Sequence, residues 1–252
     1  MSGPRSGGQA SAGPVVTVVS PHYDDVPLSG GQSLVDGDLS RAEVTVWVAF
    51  GRTNWSVKMH PSRRRAPVIT LWRRAEEQLA ARRFGYRVRS DSLEEVILRT
   101  GSLDSESFRN DEPLDEDELV IRLVALMKRW RGGADELWVP AGIGRHVDHR
   151  IVAMAAAELV RGGETGVAFY EDRPYAADYD DGEMLGEMAE LGLDLEPRIV
   201  SGPVRESTHR AVQRIYRSQM DDYFLAAQRK DLELGRPERV WVPARLREVT
   251  DG

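Results

Sequence analysis

Val15-Val16-Thr17-Val18-Val19-Ser20-Pro21-His22-Tyr23-Asp24-Asp25 is a β-branched run that opens directly into a loop of polar, ionisable residues. Side chains branched at Cβ pack well on a buried pleat, so Val15 to Ser20 reads as an interior strand. In an open α/β sheet the crevice beyond the carboxyl ends of the strands is where ligands bind, so the residues after Ser20 are placed for chemistry. A second apolar run, Val44 to Phe50, ends at Gly51 and reads as a parallel neighbour.

Helices alternate with these runs. From Pro67 to Phe84, Val68, Leu71, Trp72, Ala75 and Leu79 recur at helical spacing, with a proline in the first turn and Gly85 as a stop. That stripe predicts the buried face of the helix. Asp115 and Glu118 form a capping-box-like start for a helix from Leu119 to Trp130, ended by Gly132-Gly133. Glu136 to Pro140 and Val167 to Tyr170 read as short strands, Ile151 to Val160 as a helix, and Ser207 to Met220 as a helix opening on a serine cap. The Glu183 to Leu195 stretch reads as a surface helix. The expected fold is α/β: one Rossmann-like domain over residues 14–252, with a mostly parallel sheet and helices on both faces, behind a disordered tail at 1–13.

Composition narrows the function. The 252 residues carry a formal charge of −7, which disfavours nucleic acid as a partner, and cysteine is absent. Any metal must therefore be held by carboxylates and by some of the five histidines. No run approaches the ~20 apolar residues of a membrane span, and no signal-peptide core stands at the N-terminus, so a cytoplasmic location is expected. The excess of 31 Arg over 3 Lys carries no functional weight, and the eight acidic residues between Asp104 and Glu118 and the run Arg63-Arg64-Arg65 read as solvated segments. The oligomeric state is not legible.

Three of the five histidines fall in two strand-end loops, Pro21-His22-Tyr23-Asp24-Asp25 and Gly144-Arg145-His146-Val147-Asp148-His149. A hydrolytic zinc site needs about three N/O ligands and an open position. Taken singly, Asp24, Asp25 or Asp148 could cap the following helix. Helix capping does not explain why His and Asp cluster at two strand ends.

These loops, with Gly30-Gly31, Arg74-Ala75-Glu76-Glu77, Tyr170-Glu171-Asp172-Arg173-Pro174-Tyr175 and Tyr216-Arg217-Ser218-Gln219, resemble in order the motifs of the PIG-L/LmbE-like metal-dependent N-deacetylases. The resemblance implies one Zn2+ per chain, or another divalent metal, held by His22, Asp25 and His149. It further implies Asp24 as general base, His146 as oxyanion stabiliser or proton donor to the leaving amine, and Asp148 as the group that orients or charges His146. The implied reaction removes an N-acetyl or other N-acyl group from an amino sugar or glycosylated small molecule, as in natural-product biosynthesis. Tyr23 and Val147 replace the usual prolines, Arg145 a glycine, Gln32 a small residue and His209 a lysine. Gly144 stands where some relatives carry a tyrosine that assists the chemistry. Arg52, Asn54 and Trp55, after the second strand, offer hydrogen bonds and an aromatic face to a sugar, and Arg145 is expected to point into the pocket and choose the substrate, the alternative being that it points to solvent or pairs with an acidic residue. Two rival readings use the same residues: a non-haem iron oxygenase, and a non-catalytic sugar or metabolite binder.

Overall fold

A computed structural model describes residues 13–103, 108–109 and 117–244. The expected tail apart from Gly13, Asp115 of the expected capping box and most of the acidic segment lie outside them. The strands are β1 (Val15–Ser20), β2 (Glu43–Val48), β3 (Arg87–Ser90), β4 (Glu136–Pro140), β5 (Val167–Tyr170), β6 (Leu195–Pro203) and β7 (Pro237–Pro243). The helices are α1 (Asp25–Asp36), α2 (Ala66–Phe84), α3 (Val96–Thr100), α4 (Asp117–Arg131), α5 (Val147–Arg161), α6 (Asp181–Met188), α7 (Glu206–Ile215) and α8 (Asp222–Leu234).

One seven-stranded sheet runs β3-β2-β1-β4-β5-β7-β6. β1 to β5 pair parallel, and β7 joins β5 and β6 antiparallel. Val16 and Val18 of β1 pack with residues of α1, α2 and α7, whereas Val19 joins the cluster of α4, α5 and α6. This is the expected sheet with helices on both faces. The chain winds outward from β1 to β3, then returns to β4 on the other side of β1. The strand order reverses between β1 and β4, so a crevice opens at their carboxyl ends. The loop of His22 and the loop of His146 meet there.

Three local expectations are corrected. On α2 the stripe chosen as the core face is outside: Val68, Leu71 and Leu79 are 61%, 68% and 52% exposed. The inward face carries Arg73, Glu76 and Glu77 among Ile69, Ala80 and Phe84. Those buried charges are tolerated because each is bonded: Arg73 to Asp24, Glu76 to the backbone and hydroxyl of Ser218, and Glu77 to the Tyr86 and Tyr216 hydroxyls. Hydrophobic period alone could not see them. Leu71→Gln should accordingly change stability by no more than about 0.5 kcal/mol, the scale of an exposed substitution, where a core leucine would cost several; thermal melting checks it.

The segment read as a surface helix is the second correction. α6 starts at a true capping box of Asp180 and Glu183, and Met184, Met188 and Leu191 are buried in the core. Thirdly, α7 begins at Glu206 after Arg205 without a side-chain cap, in place of the serine cap, and it ends at Ile215. β3, β6 and β7 had no clear signal, because charged residues and prolines interrupt their apolar positions.

Candidate active site

Asp25 joins the two loops. Its Oδ2 accepts a hydrogen bond from the His22 backbone at 2.6 Å and lies 3.4 Å from His22 Nδ1, while its Oδ1 lies 3.4 Å from His149 Nε2. His22, Asp25 and His149 each offer a ligand atom within 4.8 Å of the others, so these residues could hold a divalent ion. The far nitrogens of both imidazoles are held by carboxylates: His22 Nε2 by Asp148 at 2.9 Å, and His149 Nδ1 by Asp172 at 2.6 Å. Such outer carboxylates fix the tautomer and aim the free nitrogen at a cation. Asp172 is itself anchored by the Ile143 N–H. A second group, His22, His146 and Asp148, is also close enough. Its Asp148 oxygens already accept from the Val96 backbone and Arg99, however, and His146 Nδ1 accepts from the Asp148 backbone, so the first set is the better cradle.

The Asp148 carboxylate thus reaches His22 and Arg99 rather than capping α5, while toward His146, which it was expected to orient or charge, it offers its backbone N–H and its nearby charge. His146 occupies the N-cap of α5 instead. Because its Nδ1 accepts a hydrogen bond, the neutral ring carries its proton on Nε2. Burial, reinforced by His22 and His149 nearby, holds the His146 pKa well below the usual range. A neutral ring at this position is a hydrogen-bond donor rather than a cationic acid.

Asp24 stands at the N-cap position of α1 but makes no side-chain cap bond. Its Oδ1 accepts from Arg73 Nη2 at 2.7 Å, with both groups buried. Burial, together with Asp25, raises the Asp24 pKa above the usual carboxylate range against the pull of Arg73. Arg73 also lies 3.6 Å from Glu95, which accepts from the Asn54 and Trp55 backbones and so shapes the loop after β2.

The cavity over these residues, about 290 Å³, is lined by the ionisable groups His22, Asp24, Asp25 and His146 and by the aromatic rings of Trp55, Phe108, Tyr175, Tyr223 and Phe224. Of the four residues expected to meet substrate, Trp55 lines it. Arg52 pairs with Glu94 at the surface, Asn54 is buried away from it, and Arg145 (φ 59°) lies 3.9 Å from Glu187. Gln32 ties α1 to Arg205 and Thr208 and is no part of the pocket. Arg73 lines the pocket beside Asp24, and a second cation in its wall is Arg109, whose Nε donates to the Gly144 carbonyl. Its acidic sequence surroundings hid it.

Burial lowers the His22 pKa, but Asp25 and Asp148 overcome this and push it up to about 9, against an ordinary 6.5. The protonated ring therefore stabilises chelator-treated protein fully below pH 6.5, and that contribution is lost as pH rises through 9. Melting temperature of the chelated protein should fall over this window, while affinity for added zinc rises as the ligands shed protons.

No family model matches the chain. It is 31% identical over 225 residues to a 2'-N-acetylparomamine deacetylase of Streptomyces fradiae, covering 88% of this chain and 79% of that protein. Among solved structures, the zinc-inhibited form of a teicoplanin deacetylase shares the fold with TM-score 0.63 at 21% identity, over 92% of this chain and 99% of the other. An N,N'-diacetylchitobiose deacetylase from Pyrococcus horikoshii does so with TM-score 0.57 at 15% identity, over 91% and 84%. The chain belongs to the PIG-L/LmbE-like family of N-deacetylases. It is thereby a deacetylase built on a mostly parallel α/β sheet.

Proposed function

We propose that the protein is a zinc-dependent hydrolase that removes the N-acetyl group of an amino sugar in a small glycosidic molecule, releasing acetate and a free amine. The observation that carries this reading is the pairing, in one pocket, of the His22, Asp25 and His149 set with a carboxylate, Asp24, that belongs to no helix cap and lies against Arg73. The Streptomyces fradiae relative, named for an N-acetylated aminoglycoside precursor, supports the substrate class.

Zinc held by the three ligands would supply the acidity that makes water a nucleophile near neutral pH and would polarise the acyl carbonyl. Asp24 accepts the water's proton and passes it toward the departing nitrogen. His146, which lines the cavity and in its neutral form carries its proton on Nε2, donates to the oxygen that becomes negative as the carbonyl carbon turns tetrahedral. Arg73 keeps Asp24 in place. Trp55 and the Tyr223–Phe224 pair offer flat faces to a sugar ring.

The test is acetate release from a panel of N-acetylated amino sugars and aminoglycoside precursors, with elemental analysis of the same preparation. About one zinc per chain and release from at least one amino sugar are expected. Release from none, with zinc present, would remove the substrate class.

A further inference from the structure

Gly144 has φ +84°, and a Cβ built on it would fall 2.6 Å from Cβ and 2.8 Å from Cγ of Tyr175. No side chain can stand at 144, because the base of the Tyr175 side chain already fills that place. Tyr175 follows β5 in the same loop as Asp172, and its ring meets His149 edge-on with centroids 6.3 Å apart. The Arg109 guanidinium lies 4.9 Å over its face while bonding the Gly144 carbonyl, so the ring is clamped between Gly144 and Arg109. Tyr223 and Phe224 stand against it at 6.4 and 6.1 Å. Tyr175 thus lies between a residue of the candidate ligand set and the aromatic wall of the cavity.

Its hydroxyl makes no hydrogen bond to any described residue, and the half-buried side chain lines the cavity with Asp24, Asp25 and His146. Half-buried phenols usually find a partner for O–H, so one left free beside reactive groups is available to a ligand. We propose that Tyr175 contacts the substrate, its hydroxyl donating a hydrogen bond to the oxygen of the acyl group. This rests on the deacetylase reading above. The acyl oxygen is chosen over a sugar hydroxyl because the Tyr175 ring packs against His149 of the candidate ligand set and lines the same cavity as Asp24 and Asp25, where the scissile amide must lie. In the reaction a water O–C bond forms, the amide C–N bond breaks, and the water's proton travels through Asp24 to the amine. Tyr175 transfers nothing. Burial, with Asp25 next in effect, raises its pKa, so the phenol stays protonated as a donor.

Tyr175→Phe keeps the ring against Gly144 and under Arg109 and removes only the hydroxyl. Two measurements are made on zinc-loaded parent and variant: acetate release across the N-acetyl amino-sugar panel, and acetate affinity by isothermal titration, acetate being the product whatever the sugar. With an active parent, kcat is expected to fall about 10²-fold, as for loss of one oxyanion donor, with KM within about threefold and melting temperature unchanged. A kcat within twofold of the parent overturns the proposal. A parent that releases acetate from no sugar counts against the function rather than against Tyr175. Acetate affinity then decides: a loss of about fivefold supports the contact, and equal affinity overturns it.

Discussion

Asp24→Asn is expected to lower kcat by about 10³-fold while the protein stays folded and keeps its metal. The amide oxygen of Asn can still accept from Arg73 Nη2, which Asp24 meets at 2.7 Å, so the buried contact survives in neutral form. What disappears is the capacity to take a proton. Arg73 then keeps Glu95, at 3.6 Å, as its ion-pair partner, with Asp25 and Glu76 acting on it from farther away, and the melting temperature should drop modestly, in line with ~1–3 kcal/mol for a weakened buried charged bond. The decisive comparison is turnover against zinc content in one preparation. Turnover within tenfold of the parent, with zinc retained, would take the role of base away from Asp24.

His149→Ala is expected to abolish zinc binding, because it removes one of the three ligands of the favoured set and leaves Asp172 without its imidazole. The outer carboxylates give a graded version of the same result. Asp172→Asn and Asp148→Asn should each weaken zinc affinity about 10- to 100-fold, since each loosens the ring it orients. For Asp148 this separates two roles. Its carboxylate meets His22 at 2.9 Å and Arg99 at 2.7 Å. Loss of metal affinity is therefore expected, whereas a carboxylate serving His146 would change turnover at full zinc occupancy. Competition titration with a zinc-binding dye measures all three variants, and unchanged affinity in His149→Ala would sink the ligand assignment.

Much of this site was legible in the order of residues alone. Absence of cysteine left His and carboxylates as the available ligands, and β-branched runs ending in His-rich loops placed them at a sheet edge. Strand β1, the loop from His22 to Asp25 and the loop from His146 to His149 are set by local pattern, because a strand that must be buried on both faces can take few other residues. Gly85 in the left-handed conformation likewise ends α2 where a stop was expected.

What only tertiary structure decided is which side chain faces which. The period of α2 chose Val68, Leu71 and Leu79 as core. Partners brought from distant segments, Asp24, Ser218 and Tyr216, instead make the charged face of α2 the buried one. Arg145 looked like a pocket cation from its place beside His146, but its guanidinium lies 3.9 Å from Glu187, and Arg109, from an acidic stretch, lines the pocket instead. Asp148 sits one residue before His149 in sequence yet its carboxylate reaches His22, 126 residues away, because a helix turns successive side chains by about 100°. Gly144 shows the same division: its sequence says only that a side chain is missing, and the fold alone puts the ring of Tyr175 in that space.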